Sequence, residues 1–198
     1  MKRNKSIFLS FLIILTTALN HEIAFGQVGK SLLLNGFTNH FEIPENDALD
    51  NKGTLSIECW VRPNCSDVII VSKQWCSGQY SYYFRIRDGQ LYWNYSNTGV
   101  CSNGNSSYRT KNTFNFDNKF THVAVTHSPT DIKLFINGVE QAGEFNLGAY
   151  STIHNSNLPL LVGGYKAINQ SISNHYSGLI DELRIWNTAL TESKIKGI

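Results

Sequence analysis

The feature that most constrains this chain is a period-two alternation of apolar and polar residues in short runs between residues 29 and 186. Turn residues separate the runs at intervals of roughly 8–12 residues, and helical periodicity is almost absent between those limits. Alternation of this kind is typical of strands that bury one face. A series of about ten or more such strands predicts an all-β fold, a two-sheet antiparallel β-sandwich or jelly roll.

The clearest hairpin runs from Tyr80 to Asn97. Asp88 and Gly89 supply the two positive φ angles that a type I′ turn requires. With that turn fixed, opposed residues have numbers that sum to 177, and every second residue lies on the same face. The face that we predict to be buried carries Tyr82, Phe84, Ile86, Leu91, Trp93 and Tyr95. The other face is polar, and we predict that it faces solvent.

The same reasoning assigns the rest of the chain. A second hairpin is predicted to join Ile132–Ile136 to Val139–Ala142 through an Asn-Gly turn. Further strands are predicted at Ser31–Leu34, His40–Ile43, Leu55–Arg62, Val68–Ser72, Phe120–His127, Leu158–Val162 and Leu179–Trp186. Residues 97–107 and 146–157 are predicted to be long surface loops. A short C-terminal helix is predicted after Thr191, with Leu190 and Ile195 as a hydrophobic staple.

The N-terminal segment has the three parts of a secretory signal peptide. Lys2, Arg3 and Lys5 make the start basic, residues 7–18 are largely apolar, and the small residues Ala24 and Gly26 precede Gln27. The apolar run of about 12 residues is shorter than the roughly 20 that a membrane span needs. We therefore predict a cleaved signal peptide at 1–26, a single domain at 27–198, and no membrane insertion after cleavage.

Cleavage changes the charge of the protein. The full chain has 17 basic and 15 acidic residues, and the signal peptide removes three basic residues and Glu22. The remaining domain, with 14 of each, is formally neutral. This balance argues against nucleic acid or an anionic membrane as the main partner. The expected location is secreted, either extracellular or periplasmic.

Four segments in the same order resemble the LamG-like (laminin G-like) jelly-roll domains of the concanavalin A-like lectin/glucanase superfamily. They are LLLNG with FEIP (32–36 and 41–44), LSIECWV (55–61), THVAVT with LFINGV (121–126 and 134–139), and GLIDELRIWN (178–187). The resemblance covers nearly the whole domain after cleavage. It implies a β-sandwich used for adhesion and for binding of glycans or extracellular proteins, often as one module of a longer chain.

The resemblance also implies a structural calcium ion, which prefers oxygen ligands. The candidate ligands are Asp181 and the turn from Asn35 to Asn39. This chain has Asn39 and His40 where relatives commonly have Asp and Tyr, which removes one formal charge from the site. In the alternative interpretation, Asp181 accepts a hydrogen bond from a neighbouring backbone amide and Asn39 only shapes a turn.

Catalysis has little support in the sequence. A glycoside hydrolase needs two carboxylates on either side of the sugar, and no predicted strand carries a pair at positions i and i+2. Motifs for a nucleophile or a zinc site are also absent. We expect a non-catalytic binding or adhesion module, with carbohydrate as the first ligand class. The alternatives are a glycoside-active enzyme or its ancillary domain, and a structural spacer of a larger surface protein.

The polar face of the first hairpin is the predicted ligand site. Tyr83 lies opposite Asn94, and Arg85 lies opposite Tyr92. Sugars offer C–H faces to aromatic rings and hydroxyls to polar groups. Tyr83 and Tyr92 are therefore expected to stack, Arg85 and Asn94 to form hydrogen bonds, and the loop residue Trp75 to close one end. An ordinary solvated sheet surface has the same composition.

Four cysteines in an exported chain predict disulfides, with three connectivities available. If the hairpin register continues outward, Cys76 lies opposite Cys101 at a site where Cα atoms are about 4.5 Å apart. This predicts a Cys76–Cys101 disulfide. Cys59 shares a face with apolar residues and is predicted to be a buried thiol. A bond from Cys59 to Cys65 would require the chain to fold back at Pro63.

Overall fold

The computed structural model describes residues 6–9, 30–49, 53–101, 104–117 and 119–197. In this part of the chain, two large antiparallel sheets pack against each other and a short helix lies at the C-terminal end. The predicted all-β sandwich is therefore confirmed. Most of the predicted signal peptide lies outside the described residues, which include only residues 6–9 of it.

The strands in chain order are β1 (Ser6–Leu9), β2 (Leu32–Asn35), β3 (Phe41–Ile43), β4 (Leu55–Pro63), β5 (Asp67–Lys73), β6 (Tyr82–Arg87), β7 (Gln90–Ser96), β8 (Asn105–Thr110), β9 (Thr121–His127), β10 (Ile132–Ile136), β11 (Val139–Gln141), β12 (Gly143–Leu147), β13 (Leu160–Val162), β14 (Tyr165–Lys166), β15 (Ile172–Ser173) and β16 (Ser177–Trp186). A 3₁₀ turn spans Asp47–Leu49, and the helix α1 spans Glu192–Lys196.

The strands form two sheets of seven strands each. Sheet A has the order β1, β16, β4, β9, β10 and β11, with β2 also paired to β16. Sheet B has the order β12, β8, β7, β6, β5, β13 and β3. The β14–β15 hairpin stands apart from both sheets and contacts β5.

The β6–β7 hairpin forms as the sequence predicts. Asp88 has φ 49° and Gly89 has φ 77°, so both turn residues adopt the left-handed conformation of a type I′ turn. The pairs run from Arg87 with Gln90 to Tyr82 with Tyr95, which confirms the predicted register. The buried face is also confirmed, since each of its six predicted residues is at most 1% exposed.

Trp93 lies at the centre of the core between the sheets. Its ring stacks on Tyr82 with centroids 5.2 Å apart and on Tyr95 with centroids 6.3 Å apart. Its indole Nε1 donates a hydrogen bond to His127 Nδ1, on the opposite sheet, at 3.0 Å. This bond joins the two sheets and satisfies an indole N–H that has no access to water.

The neutral form of His127 is required by this arrangement. Burial lowers the pKa of His127 from 6.5 to about 4. Below its ordinary pKa the unfolded chain gains a proton that the folded protein does not accept, so acid favours unfolding. Between about pH 7 and about pH 5, the free energy of unfolding should fall by about 2 kcal/mol more in the wild type than in His127→Asn.

Urea unfolding of both proteins at several pH values measures this difference. Asn keeps an acceptor for the Trp93 indole and does not titrate, so the comparison isolates the imidazole. Parallel stability curves for the two proteins across this pH range would contradict the expected role of His127.

After the predicted signal peptide, four strands are not predicted by the sequence: β8, β12, and β14 with β15. β8 begins inside the predicted loop 97–107, and β12 extends into the predicted loop 146–157. β8 is rich in Ser and Asn, and β12 lies at the edge of sheet B, where side chains are largely exposed. Because these strands are polar or exposed, the sequence does not show a clear alternation in them. Both nevertheless form antiparallel pairs, with a register shift in β12 between Phe145 and Leu147.

The C-terminal helix begins at Glu192, after Thr191, as predicted. The Thr191 hydroxyl contacts Ser193 Oγ at 2.9 Å and forms no capping bond to the backbone. Ile195 is buried, and Leu190 packs against the same small cluster on the outside of sheet A. The helix is therefore held by apolar packing on the sheet more than by its cap.

The predicted Cys76–Cys101 disulfide is confirmed, with Cα atoms 5.0 Å apart. Cys59 is a free, buried thiol whose pKa is raised by burial, and Cys65 is free and exposed. Gly99 packs tightly beside the bridge, since a Cβ there would lie 2.6 Å from His154 Nε2.

Among the described residues, the structure contains no helix with the length and apolar character of a membrane span.

Candidate functional site

The outer face of sheet B carries a line of five contacting side chains that we call the arginine row. Arg85 on β6 lies opposite Tyr92 on β7. Arg109 on β8 lies opposite both Tyr92 and Glu144, which is on β12. Asp67 on β5 completes the row through its contact with Arg85. Because directly opposed residues project from the same face, the row forms a continuous surface across neighbouring strands.

Tyr92 stands between the two guanidinium groups of the row. Its ring centroid lies 5.7 Å from Arg85 Cζ and 6.0 Å from Arg109 Cζ. The cations come from strands on opposite sides of β7. The Tyr92 hydroxyl accepts a hydrogen bond from Arg109 Nη1 at 3.2 Å and donates one to Gln90 Oε1 at 3.2 Å. Two cations therefore lie near the Tyr92 ring, and one of them also contacts its hydroxyl.

A carboxylate closes the row at each end. Arg85 Nη2 lies 3.2 Å from Asp67 Oδ1, and Arg109 Nη2 lies 3.0 Å from Glu144 Oε1. Hydrogen bonds to Tyr92 and Glu144 raise the pKa of Arg109, so the side chain keeps its charge. The side chains of Arg85 and Arg109 are 13% and 30% exposed. Both are held by partners and still reach the surface.

A second line of side chains runs beside the arginine row. Tyr83 lies opposite Asn94, and Asn94 lies opposite Ser107. Asn94 Oδ1 and Arg85 Nε have no hydrogen-bond partner among the described residues. Tyr83 packs edge-on against Tyr80 with ring centroids 6.0 Å apart, and burial raises its pKa. This face therefore contains polar groups that the protein itself does not satisfy.

The β14–β15 hairpin covers the neighbouring part of the same face. Ile69 and Leu161 project outward by their register but are only 1% and 4% exposed. Ser72 Oγ donates a hydrogen bond to the carbonyl of Gly164 at 2.8 Å, which holds the start of this hairpin over β5. A wall therefore separates the covered region at β5 and β13 from the open region at β6 to β8.

Trp75 lies against this wall. Its Nε1 donates a hydrogen bond to the carbonyl of Ile168 at 3.4 Å, and Lys166 Nζ lies 5.3 Å from the centroid of its ring. The structure thus brings four predicted ligand residues together on one hairpin and places the fifth beside them on the wall. The four are Tyr83, Arg85, Tyr92 and Asn94.

Sequence reasoning missed Arg109 and Glu144. Both belong to strands that the sequence did not predict correctly, so their positions beside Tyr92 were hidden. One signal was available, because Ser106, Tyr108 and Thr110 alternate with the outward residues of β8. Continuing the hairpin register across one more strand would have placed Arg109 beside Tyr92.

The predicted calcium ligands do not come together. Asn35 Oδ1 accepts hydrogen bonds from three consecutive backbone amides, those of residues 37–39. Asp181 lies four residues along β16 from Ser177, the partner of Asn35, or roughly 13 Å at strand spacing. Asp181 Oδ1 accepts a hydrogen bond from the next backbone amide. Asn35 and Asp181 therefore do not form one calcium site. Calcium binding by this protein stays a prediction.

Within the described ranges, no three His, Cys, Asp or Glu side chains lie where they could hold a metal ion. Asn39 Oδ1 accepts a hydrogen bond from the Thr38 hydroxyl at 3.1 Å, which is the turn-shaping role that the alternative interpretation gives it.

Glu58 is buried on the outside of sheet A, where helix α1 packs nearby. Its Oε1 accepts a hydrogen bond from Trp186 Nε1 at 3.0 Å and lies 3.9 Å from Arg184 Nη1. Its Oε2 lies 3.6 Å from His122 Nε2. The Glu58 side chain has no exposed surface, so these contacts attach the end of β16 to the sheet and offer nothing to a substrate.

The sequence matches the family model of the concanavalin A-like lectin/glucanases superfamily over residues 35–196. None of the curated proteins with which the chain was compared matches it.

Solved structures with a similar fold include binding domains of larger proteins. Domain 4 of AbnA, a GH43 extracellular arabinanase from Geobacillus stearothermophilus solved with arabinotriose, is 23% identical, with a TM-score of 0.59 and coverage of 88% of this chain and 78% of that chain. The binding domain of Paraclostridial Mosquitocidal Protein 1 is 18% identical, with a TM-score of 0.64 and coverage of 89% and 44%. A heptameric SAP-like pentraxin from Limulus polyphemus is 16% identical, with a TM-score of 0.55 and coverage of 79% of each chain.

Proposed function

This chain belongs to the concanavalin A-like lectin/glucanases superfamily, and from that premise we propose that it is a non-catalytic, extracellular module that binds carbohydrate. The observation that carries the proposal is the arginine row, in which Arg85 and Arg109 lie on either side of Tyr92. In this proposal the ligand lies across β6, β7 and β8, beside the wall that the β14–β15 hairpin forms.

The chemistry of the row suits hydroxyl groups. A guanidinium group presents several hydrogen-bond donors in one plane. When a carboxylate already fixes the arginine side chain, the side chain loses little further conformational entropy on binding a ligand. Asn94 supplies both a donor and an acceptor next to the row. In this proposal the arginines and Asn94 supply hydrogen bonds, and Tyr83 and Tyr92 supply rings on which a sugar can stack.

The arrangement of carboxylates supports a non-catalytic role. Asp67 and Glu144 lie on strands four spacings apart, roughly 19 Å, whereas glycosidases hold their two carboxylates roughly 5–9.5 Å apart. Asp131 and Glu140 are closer, since both contact Lys133, but their side chains are 59% and 40% exposed. Neither lies in the apolar enclosure that a general acid requires.

The extracellular location is supported by two features. The Cys76–Cys101 disulfide is typical of proteins that leave the reducing cytoplasm. The basic and apolar segments of the first 26 residues match a secretory signal. A glycan is the first partner to test, with an extracellular protein as the alternative, and the arabinotriose bound to the similar AbnA domain provides a first probe.

The test compares Arg85→Lys with the wild-type protein on a glycan array that includes arabinotriose, with and without calcium. Lysine keeps the charge beside Asp67 but lacks the planar fork. We expect glycan binding to weaken by at least about tenfold, or about 1.4 kcal/mol, while the melting temperature stays within a few degrees. Arg62→Lys is the matched control, because Arg62 lies over Phe120 away from the arginine row, with Cζ 5.5 Å from the ring centroid.

Other outcomes separate the alternatives. Unchanged binding in Arg85→Lys would remove the arginine row as the site. Release of sugar from polysaccharides by the purified protein would favour a glycoside-active enzyme. If the protein neither binds a glycan nor releases sugar, a structural spacer or a protein partner is favoured. Glycan binding that requires calcium would support the predicted calcium site.

A further inference from the structure

A second candidate site lies at the open side of the sandwich, where β8 and β12 approach the turn between β9 and β10. The space there has a volume of about 400 Å³, within the range of small-ligand pockets. We call it the aromatic cleft. Its main lining residues are Tyr95, Tyr108, Ile132, Phe145 and Tyr150, with Asp131 at the rim.

Two rings of the cleft, Tyr108 and Phe145, are partly open to solvent and contact each other, whereas Tyr95 is buried. Tyr108 and Phe145 contact each other edge to face with centroids 5.0 Å apart, and Phe145 is 48% exposed. The Tyr108 ring lies directly on the backbone of Gly143, where a Cβ would come within 2.4 Å of its Cζ. A side chain at Gly143 would displace the phenol, so the position of the Tyr108 ring depends on this glycine.

The loops around the cleft are held by hydrogen bonds. The Tyr95 hydroxyl donates to the carbonyl of Tyr150 at 2.7 Å and accepts from its amide at 3.2 Å. On the other side, Ser128 Oγ accepts a hydrogen bond from the amide of Asp131 at 3.0 Å. These bonds order the rim before any ligand arrives, and that lowers the entropy lost on binding.

The charge around the cleft restricts the ligand. Asp131 is the only charged residue among those that line it in the described chain. Burial and the nearby carboxylates of Asp131 and Glu140 raise the pKa of Tyr108, so its phenol remains a hydrogen-bond donor. Anionic ligands would be repelled by Asp131. An organic cation would compete with Lys133, whose Nζ already lies 3.8 Å from Asp131 and 2.9 Å from Glu140.

We propose that the aromatic cleft binds one uncharged sugar residue as a second subsite, separate from the arginine row, with its C–H face on Phe145 and Tyr108 and its hydroxyls on Asp131. This inference rests on the proposed carbohydrate binding. Aromatic rings of fixed orientation with one acceptor at the rim suit a neutral ring that has one apolar face and a hydroxylated edge.

The experiment measures binding of the full chain to an array of neutral, acidic and choline-substituted glycans. Phe145→Ala removes the exposed ring of the cleft. Val139→Ala is the matched control, because Val139 is 55% exposed on the neighbouring β11 and does not line the cleft. We expect Phe145→Ala to weaken binding of a set of neutral glycans at least about tenfold, while Val139→Ala leaves that set unchanged.

Each other result overturns the inference. Neutral glycans that bind equally well to Phe145→Ala and to the wild type would exclude the cleft, and the effect of Arg85→Lys would then decide the proposed function alone. Dependence on Phe145 that is confined to choline-substituted glycans would identify a cation site. An absence of glycan binding in the wild-type protein would overturn both the cleft and the arginine row.

Discussion

Replacing Trp93 by Ala should lower the free energy of unfolding by about 3–5 kcal/mol, a large share of the roughly 5–15 kcal/mol that is typical of a domain. Two losses combine in this variant. Removal of the indole leaves a large cavity between Tyr82 and Tyr95. It also deprives His127 Nδ1 of its hydrogen-bond donor in the core. Urea unfolding followed by circular dichroism measures the effect.

Trp75→Ala is the matched control for Trp93→Ala. Trp75 is only partly buried, and its ring contacts Lys166 at a distance typical of a weak surface cation–π pair. Its removal should change the free energy of unfolding by about 1 kcal/mol or less. Equal losses from the two substitutions would show that the hairpin wall supports the fold as much as the core does.

The parts of the fold that sequence reasoning predicts well are those set by local chemistry. The Asp88–Gly89 turn fixes the register of β6 and β7, and the register then determines which residues are buried. The same arithmetic predicted the Cys76–Cys101 bridge, which is confirmed. The backbone pairing itself shifts before the bridge, since the Tyr80 amide donates to Gly99. Each step uses residues that are close in the chain, so no knowledge of the second sheet is needed.

The parts that sequence reasoning misses depend on contacts between distant segments. β12 is largely exposed and joins sheet B only through its pairing with β8, so its side chains carry little burial signal. Without β8 and β12, the sequence shows Arg85 beside Tyr92 but not Arg109 on the other side. The expectation that Tyr92 stacks on a sugar was made without Arg109, and it stays a prediction.

The aromatic cleft illustrates the same limit. Tyr108 and Phe145 lie in strands that the sequence assigns only in part, and the importance of Gly143 is visible only when the phenol is seen on its backbone. The wall on sheet B is similar, because nothing local predicts that the β14–β15 hairpin folds back over Ile69. Candidate sites in this protein arise where separate segments meet.

Removal of the disulfide by Cys76→Ser with Cys101→Ser should lower the free energy of unfolding by roughly 3 kcal/mol. The bridge joins residues 25 positions apart, so its loss frees a substantial loop in the unfolded chain. The surrounding segments also depend on it. The Tyr80 amide donates to the carbonyl of Gly99 at 2.8 Å, so the segments that lead to the bridge stay in contact beyond the last β6–β7 pair.

Cys65→Ser is the control for the loss of a thiol, because Cys65 is exposed and unbridged, and its effect should be within about 0.5 kcal/mol. Loss of the bridge also loosens the segment that carries Trp75, next to the hairpin wall. If that wall borders the ligand site, the double variant should bind glycan more weakly even at temperatures where it remains folded. Urea unfolding and array binding measure both effects, and a double variant as stable as the wild type would show that strand pairing alone holds this end of the sandwich.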